Sequence, residues 1–342
     1  GNLRYSESED FFRSMTDRNA NPAQISAALA ALTAKGETPE EIAGMVSAMY
    51  EQSVKIATRH ENFINISGTG SSAVKTFNVS TAAAFVSAGA GLPVAKHTGR
   101  AYMSLTGGAE VLETLGVRVL IEPRIARACL DGAGICLLFS TKYHQTSRRI
   151  KDINRSLGIR TCLNLVEVLA NPANAPKHLI GVWHPSLTEL VAKALKILKT
   201  EKSWIVNGSD GLDELTITGE TFVTEVTSKR TRTFKITPEE FGLKRGKIDH
   251  LAVNSPQESA AIIKDVLEDK RRDEARTLIV LNAAAALLVG GITNEPKRAA
   301  WLAEQSITSG SAQLKLERLI ETTNRKLHTQ KPEHARANVY DQ

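Results

Sequence analysis

"NISGTGSSAVKTFNVSTAAAF", residues 65–85, contains the pattern from which the fold can be argued. An apolar run, "FINI", leads into "SGTG" at 67–70, and an alanine-rich segment follows. Glycine leaves backbone N–H groups open to a ligand and tolerates positive φ. A helix N-terminus carries free N–H donors and partial positive charge, which favour phosphate. The stretch therefore predicts a strand, a bare-backbone loop and a helix that hold an anionic group, with Ser80 or Thr81 as the helix N-cap.

The segment around this stretch alternates short apolar runs with helical patterns. Further apolar runs are "LPVAKH", "VRVLI", "ICLLFS", "HLIGVW" and "SWIVNG", and helix candidates lie at 80–91, 106–115, 123–131, 143–157 and 186–199. This alternation predicts an α/β domain with a mainly parallel central sheet. Period-two alternation within 215–250 predicts a β-hairpin or meander, and "TLIVLNAAAALLVGG", apolar on all sides, predicts a buried helix.

Residues 7 to about 57 are predicted to be helical throughout. "NPAQISAALAALTAKG" has apolar residues at helical spacing and a terminal glycine. In "TPEEIAGMVSAMYEQSV", Thr38 is placed as N-cap, Pro39 at the first helical position and Glu41 at the third. These signals indicate a small N-terminal helical domain ahead of the α/β domain.

Composition narrows the class of protein and of ligand. The chain has 342 residues, 42% of them hydrophobic, and a net charge of +6, which suits an anionic ligand. The basic residues are scattered, and the densest run is "KRTRTFK" at 229–235, so nucleic acid is the less favoured partner. No apolar run is long enough to cross a bilayer and no signal peptide opens the chain, so a cytoplasmic protein is expected. The chain has three cysteines, an odd number, and no Cys-x-x-Cys pair. This predicts buried free thiols at Cys129, Cys136 and Cys162.

Two further loops carry residues suited to a phosphorylated ligand. In "KHTGRAYMSLTGG", 96–108, Lys96 comes near a strand end and could meet a second phosphate. In "NGSDGLDEL", 207–215, Asp213 and Glu214 are adjacent carboxylates of the kind that Mg²⁺ prefers together with substrate phosphates. The first loop is also compatible with an exposed lysine beside a glycine-rich turn, and the second, taken alone, is better explained as a solvated acidic turn.

The order of these motifs resembles the anthranilate phosphoribosyltransferase family over roughly residues 5–325. The resemblance is carried by Gly68-Thr69-Gly70, "TFNVST", Lys96-His97, "GAEVLETLGV", "LGIRT", "NPANAP", "HLIGVWHP", "DGLDEL" and "LNAAAALL". It implies a fold of the kind shared by nucleoside phosphorylases and class III phosphoribosyltransferases, and a homodimer formed through the helical domain. It also implies phosphoribosyl pyrophosphate as substrate, Mg²⁺ as cofactor and an active site in the cleft between the domains.

The resemblance implies two domains, with the following boundaries. A helical domain spans 1–60 and is completed by helices from about 145–175. The α/β domain takes 61–144 and 176–325, and 328–342 is expected to be a flexible tail.

The resemblance also implies roles for single residues. The metal would lie at Ser80, Asp213 and Glu214. The donor would be held by a larger set of small and polar residues: Gly68, Ser71, Ser72, Thr76, Asn78, Ser80, Thr81, Lys96, Ser104 and Gly108. The acceptor pocket would be formed by His97, Gly99, His144, Asn154, Glu167 and Val168.

Several of these positions depart from the family pattern. Ser71-Ser72-Ala73 replaces Gly-Asp-Gly on the donor side. On the acceptor side, Gly99 replaces an Asn that contacts anthranilate, and Asn154 replaces an Arg that pairs with its carboxylate. Arg155, the neighbour of Asn154, is expected to point elsewhere because adjacent helical residues differ by about 100°. Glu167-Val168 replaces Gly-Pro and is expected to repel a carboxylate.

The sequence thus predicts Mg²⁺-dependent phosphoribosyl transfer to a nitrogen of an aromatic acceptor, as in tryptophan biosynthesis but with an altered acceptor pocket. No strong general base is assigned, and Arg148 or Arg155 remains open as a substitute for the missing arginine. One alternative is a non-catalytic relative that binds an anion such as nucleic acid. A lesser alternative is phosphorolysis, since "GRAYMSLTGG" is similar to pyrimidine nucleoside phosphorylases, although their lysine-rich phosphate loop has no counterpart here.

Overall fold

The fold is built on one seven-stranded sheet. The structure, a computed structural model, describes residues 1–72, 74–100, 106–144 and 148–325. In chain order the strands are β1 (Ile64–Gly68), β2 (Val94–Thr98), β3 (Ile135–Phe139), β4 (Lys177–Gly181), β5 (Lys202–Gly208), β6 (Thr221–Thr227) and β7 (Thr231–Ile236). Their order in the sheet is β3-β2-β1-β4-β5-β6-β7, with β1 to β5 parallel and β6 and β7 antiparallel. The mainly parallel sheet and the hairpin within 215–250 are confirmed.

Helices flank this sheet and build the N-terminal region. They are α1 (Tyr5–Thr16), α2 (Pro22–Lys35), α3 (Pro39–Glu51), α4 (Val79–Gly89), α5 (Gly108–Thr114), α6 (Pro123–Ala128), α7 (Ser140–Tyr143), α8 (Arg148–Leu157), α9 (Cys162–Leu169), α10 (Ser186–Ile197), α11 (Pro256–Leu267), α12 (Glu274–Gly290), α13 (Pro296–Thr308) and α14 (Ser311–Asn324). A short π-helix and two 3₁₀ turns lie at Cys129–Ala133, Pro238–Phe241 and Asp249–Leu251.

The helix ends of the N-terminal region follow the sequence signals. α2 ends at Gly36, which has φ 82°, and Thr38 caps α3 by accepting from the backbone of Glu41. The buried Glu41 carboxylate in turn accepts from the Thr38 and Leu3 backbones and from Lys35 Nζ, each at 2.8 Å. The predicted capping box is therefore confirmed, and it also fixes the start of the chain.

Apolar side chains cover both faces of the sheet. One core packs α4 and α11 to α14 against one face, and its centre is α12, which is buried along almost its whole length. The other core joins α1 to α3, α8 and α9 to α10 and to inward residues of β4, β5 and β6. Because the sheet is covered on both sides, β1 to β5 are buried along almost their whole length, and β3 is a continuous apolar run.

Three local expectations are wrong. "VRVLI" at 117–121 is not a strand, since Val117, Val119 and Ile121 are buried in the core from an irregular connection. The N-cap of α4 is Asn78, because the helix already begins at Val79. The single helix expected at 143–157 is divided, with α7 ending at Tyr143 and α8 beginning at Arg148.

The strand order creates a crevice at the carboxyl ends of the central strands. The chain proceeds from β1 outward through β2 and β3 on one side, and from β4 outward through β5 on the other. Gly68 and Gly181 end the paired strands β1 and β4 side by side. In open α/β sheets, ligands bind outside the carboxyl ends of strands at such a reversal.

The structure also bears on the state of the cysteines and on membrane-spanning helices. Cys129, Cys136 and Cys162 are free and buried, as predicted. Within the described ranges, no helix has both the length and the apolar character that crossing a membrane requires. The expected tail at 328–342 lies outside the described residues.

Candidate active site

An open cavity of about 590 Å³ lies at the carboxyl ends of β1, β2 and β3, with residues of α8 and α9 on its other side. Ser71 and His144 do not line it, and Ser104 lies outside the described residues. The remaining predicted site residues all do: Gly68, Ser72, Thr76, Asn78, Ser80, Thr81, Lys96, His97, Gly99, Gly108, Asn154, Glu167, Val168, Asp213 and Glu214.

Asp213 ties two of the predicted loops together. Its Oδ2 accepts hydrogen bonds from Thr69 Oγ1 at 3.0 Å and from the Gly70 amide at 2.7 Å. Gly70 has φ 64°, the left-handed region that glycine tolerates best. The Gly70 amide, expected to face an anionic ligand, is thus taken by a carboxylate.

Gly181 lets this loop pass over the end of β4. A Cβ atom at Gly181 would lie 1.5 Å from the backbone oxygen of Asp213, a distance that no side chain can occupy. The Thr69 amide also donates to the Gly181 oxygen at 3.1 Å. The position of Asp213 therefore depends on a bare backbone at the end of this strand.

Lys96 and Glu214 are buried titratable side chains at the centre of the expected donor side. Lys96 is 4% exposed, and its Nζ donates to the Ile66 oxygen at 2.8 Å and to Ser80 Oγ at 3.1 Å. Burial lowers the pKa of Lys96 to about 8, and the nearby Glu214 and Asp213 oppose the shift. Burial and the adjacent Asp213 raise the pKa of Glu214 to about 8, against the attraction of Lys96 and hydrogen bonds from Ser80.

This donor set fits a divalent cation. Asp213, Glu214 and Ser80 offer only oxygen atoms, which Mg²⁺ prefers. Burial raises the pKa of Glu214, and repulsion from the Asp213 carboxylate adds to that shift. A bound divalent cation would relieve that repulsion.

The first turn of α4 faces Lys96 and Glu214 without a side-chain cap. The Asn78 side chain is occupied elsewhere, because Ser259 Oγ donates to Asn78 Oδ1 at 2.9 Å and accepts from the Asn78 amide at 2.9 Å. α11, which contains Ser259, thereby fixes where α4 begins.

Ser71 and Ser72 belong to the segment that, by the resemblance, replaces Gly-Asp-Gly. Both form hydrogen bonds within the protein. The Ser71 hydroxyl donates to the Thr69 oxygen at 3.3 Å, and Asn164 Nδ2 donates to Ser71 Oγ at 3.5 Å. The Ser72 hydroxyl donates to the Val74 oxygen at 2.6 Å. Ser71 is fully buried, which explains why it does not reach the cavity.

Glu167 is anchored on the acceptor side by residues that the sequence did not single out. Its Oε1 accepts hydrogen bonds from Ser140 Oγ and from Lys151 Nζ, the latter at 3.1 Å. Burial opposes ionisation of Glu167, but Lys151, His97 and Ser140 outweigh it and lower its pKa to about 2. A Cβ atom at Gly99 would lie 3.7 Å from Glu167 Oε1, so the missing side chain at Gly99 leaves room beside this carboxylate.

The two histidines of the acceptor side lie together. Their ring centroids are 5.4 Å apart, and only His97 lines the cavity. Burial lowers the pKa of His97 to about 4, although Glu167 opposes the shift. Burial also lowers the pKa of His144, which lies behind His97. Both rings are neutral near pH 7, and His97 Nε2 has no hydrogen-bond partner among the described residues.

Asn154 presents no charge at the position where the resemblance implies an arginine in the family. It is buried, and its Oδ1 accepts from Thr161 Oγ1 at 2.6 Å. The expectation that Arg155 points elsewhere is wrong, because Arg155 and Arg148 both line the cavity as exposed side chains. Adjacent residues differ by about 100° around a helix, but the cavity is wide enough for both Asn154 and Arg155 of α8 to line it.

Lys151, Ser140 and Thr69 are site residues that the sequence analysis missed. Lys151 lies three residues before Asn154 on α8, and this spacing places both on one helix face. That spacing is the signal that could have found Lys151. Nothing in the sequence places Ser140 beside either of them.

The basic run at 229–235 is partly neutralised by its neighbours. Arg232 Nε lies 2.8 Å from Glu225 Oε1, and Lys235 Nζ lies 2.7 Å from Glu220 Oε2. Both carboxylates belong to the adjoining segment at 220–225. This pairing reduces the charge available for a nucleic-acid phosphate backbone.

Comparison with known proteins agrees with this architecture. The family described as "Glycosyl transferase family, helical bundle domain" matches residues 1–53, and "Glycosyl transferase family, a/b domain" matches residues 60–313. An anthranilate phosphoribosyltransferase of Moorella thermoacetica is 43% identical over 301 residues, 88% of each chain. That of Desulfosudis oleivorans is 39% identical over 321 residues, 94% of this chain and 95% of its own.

Solved structures show the same likeness. The crystal structure of anthranilate phosphoribosyltransferase from Thermus thermophilus matches with a TM-score of 0.90 and 33% identity, over 95% of this chain and 97% of that one. The Saccharomyces cerevisiae enzyme in complex with PRPP and Mg matches with a TM-score of 0.85 and 27% identity, over 94% and 93%. From both family matches and from relatives aligned over most of its length, the chain belongs to the anthranilate phosphoribosyltransferase family of glycosyltransferases.

Proposed function

We propose that this enzyme transfers the phosphoribosyl group of phosphoribosyl pyrophosphate, with Mg²⁺, to a nitrogen of an aromatic acceptor other than anthranilate. The observation that carries the proposal is the convergence of Lys96, the first turn of α4 and the Asp213–Glu214 pair on one cavity. A sugar diphosphate needs such a combination of cation, helix N-terminus and metal-binding carboxylates.

The transfer breaks the bond between the anomeric carbon and the diphosphate oxygen and forms a carbon–nitrogen bond. The diphosphate leaves with the bonding electron pair, and the acceptor amine gives up its proton to water. Negative charge builds on the leaving diphosphate while the ribose acquires oxocarbenium character. The Lys96 ammonium and the N-terminus of α4 stabilise the leaving group. Asp213, Glu214 and Ser80 would hold a Mg²⁺ ion, which would supply further neutralisation of the diphosphate charge.

On the acceptor side, the residues position the amine rather than activate it. Neutral His97 offers Nε2 to the acceptor, but its low pKa makes it a weak base. The chain therefore relies on holding the nitrogen close to the anomeric carbon.

The changed acceptor is supported by the charges around its pocket. Asn154 is uncharged, and Glu167 keeps its negative charge because its pKa is about 2. A charge-assisted arginine–carboxylate contact contributes about 2–3 kcal/mol, so its loss weakens anthranilate binding roughly 30- to 150-fold. Lys151 neutralises much of the repulsion expected from Glu167, which leaves the lost arginine as the larger effect.

We also propose the two-domain division at 1–60 with 145–175 against 61–144 with 176–325. A homodimer formed through the helical domain and a cytoplasmic location complete the proposal. The three buried free cysteines support a reducing compartment.

Measuring pyrophosphate release tests the function. Purified enzyme is incubated with phosphoribosyl pyrophosphate, Mg²⁺ and a panel of aromatic amines that includes anthranilate. We expect release with at least one amine other than anthranilate, and its loss on chelation of Mg²⁺. If none of the amines supports pyrophosphate release, phosphoribosyl transfer is refuted. Efficient turnover at micromolar anthranilate would refute the changed acceptor.

A further inference from the structure

A cluster of three side chains forms one wall of the acceptor side of the cavity. Ser140 begins α7, Lys151 lies on α8 and Glu167 lies on α9, so three elements supply one residue each. Lys151 Nζ lies 3.1 Å from Glu167 Oε1, and the Ser140 hydroxyl is bonded to both groups. The side chains of Lys151 and Glu167 are 18% and 30% exposed, and both line the cavity.

All three residues of this cluster line the cavity, and their hydrogen bonds with described residues leave some donor and acceptor capacity unused. The Lys151 ammonium has three N–H groups, and two of them are directed at Ser140 Oγ and Glu167 Oε1. Both hydrogen bonds that Glu167 accepts from the described residues end on Oε1. Among the described residues, one N–H donor of Lys151 and the Oε2 acceptor of Glu167 therefore remain for a bound molecule.

An adjacent donor and acceptor are complementary to a group that offers an acceptor and a donor in the same spacing. A primary carboxamide or a lactam edge does so, since its C=O accepts from Lys151 while its N–H donates to Glu167. A carboxylate satisfies only Lys151 and places its second oxygen against Oε2, two like charges at close range. Gly99 leaves space beside Glu167 for such a group.

We propose that Lys151 and Glu167 determine acceptor specificity and select an aromatic amine with a neutral carboxamide or lactam edge over one with a carboxylate. The inference rests on the proposed phosphoribosyl transfer, whose acceptor class it names. The low pKa of Glu167 supports it, because a carboxylate ionised at every physiological pH cannot become a donor toward a second carboxylate.

Arg148 and Arg155 are the competing anchors. Both are exposed at the cavity and could meet a carboxylate from the solvent side. Exposed ion pairs contribute little, whereas the Lys151–Glu167 pair is held by Ser140 and partly buried. The fixed pair is therefore expected to dominate.

The test compares 2-aminobenzamide with 2-aminobenzoate, which differ only in the group that the cluster would contact. Binding of each amine is measured by calorimetry, and kcat and KM are measured from pyrophosphate release. We expect the wild-type enzyme to bind the amide at least about 10-fold more tightly, the scale of one charge-assisted hydrogen bond.

Two variants separate the partners of the pair. Glu167→Gln frees the Lys151 ammonium from its anion, so preference should shift toward the carboxylate by roughly 10- to 100-fold, mainly in KM. Lys151→Met should lose affinity for the amide without gaining any for the carboxylate. Lys235→Met removes an exposed ion pair with Glu220 and serves as the matched control. Thermal unfolding identifies any variant that fails to fold, and Lys151→Gln then replaces Lys151→Met.

Each outcome decides between the two proposals. Equal binding of the two amines, tighter binding of the carboxylate, or a Glu167→Gln variant with unchanged preference would overturn the role of the pair. Carboxylate binding that disappears in Arg155→Ala would assign the role to that arginine instead. Preferential amide binding without pyrophosphate release would uphold the role of Lys151 and Glu167 in selecting the amine. It would refute only the proposed phosphoribosyl transfer.

Discussion

At the scale of single residues, the donor side holds charges in surroundings that solvate them poorly. Lys96 is almost fully buried, and burial lowers its pKa and raises that of Glu214 although the two groups attract each other. A folded protein gains little stability from such an arrangement. A ligand that carries phosphates and a divalent cation provides the missing compensation, which is why we assign the cluster to binding.

Replacing Lys96 should therefore separate binding from folding. In Lys96→Met we expect affinity for phosphoribosyl pyrophosphate to fall roughly 10- to 100-fold, because one charge-assisted contact is lost. The free energy of unfolding should change by less than about 1 kcal/mol, since relief of the buried ammonium offsets its lost hydrogen bonds. Calorimetry and urea unfolding measure the two quantities, with Lys235→Met as an exposed control. Unchanged donor affinity would remove Lys96 from the site.

The residue scale also shows the limit of sequence analysis. Glu167 could be singled out because it departs from a family pattern, but its partner Lys151 could not, because the contact depends on how α8 and α9 pack. Without that cation, Glu167 alone indicates repulsion of a carboxylate. With it, the same residue becomes half of a donor–acceptor pair.

At the scale of elements, sequence signals succeed where local chemistry decides the conformation. The Thr38–Glu41 capping box, the terminal Gly36 and the buried α12 depend on neighbours within a few residues, and all three predictions are confirmed. The strand prediction at 117–121 is wrong because burial in an irregular connection produces the same apolar pattern as a strand. The predicted cap of α4 is wrong because Ser259, distant in sequence, holds Asn78.

The sheet should also become less stable in acid through a buried histidine on β4. Burial lowers the pKa of His178 to about 4 from its ordinary 6.5, so the unfolded chain binds a proton that the folded chain excludes between these values. Its contribution to stability is complete above pH 6.5 and declines as the pH falls toward 4, by about 3 kcal/mol in total.

Urea unfolding at several pH values between about 7.5 and about 4.5 measures this effect. His178→Gln should show a shallower dependence on pH over that interval than the wild type. His184→Gln, at a more exposed position, should retain the wild-type dependence. Identical curves for His178→Gln and the wild type would contradict the assignment.

At the scale of the whole molecule, one sheet with two covered faces places the cavity where the helical region meets the strand ends. β1, β2 and the loop after β5 contribute the donor side, and α8 and α9 contribute the acceptor side. From the sequence, we expect most donor-side residues to match the family's pattern and most of the replacements to lie on the acceptor side. The reaction is thereby expected to be retained while its acceptor changes.

Calorimetric titration with phosphoribosyl pyrophosphate, in the presence and absence of Mg²⁺, tests the central claim most directly. The convergence of Lys96, α4 and the Asp213–Glu214 pair predicts saturable binding at one site per chain, weakened at least about 10-fold without Mg²⁺ and in Asp213→Asn/Glu214→Gln. Binding that is absent under every condition, or that is indifferent to both Mg²⁺ and the double substitution, would contradict it.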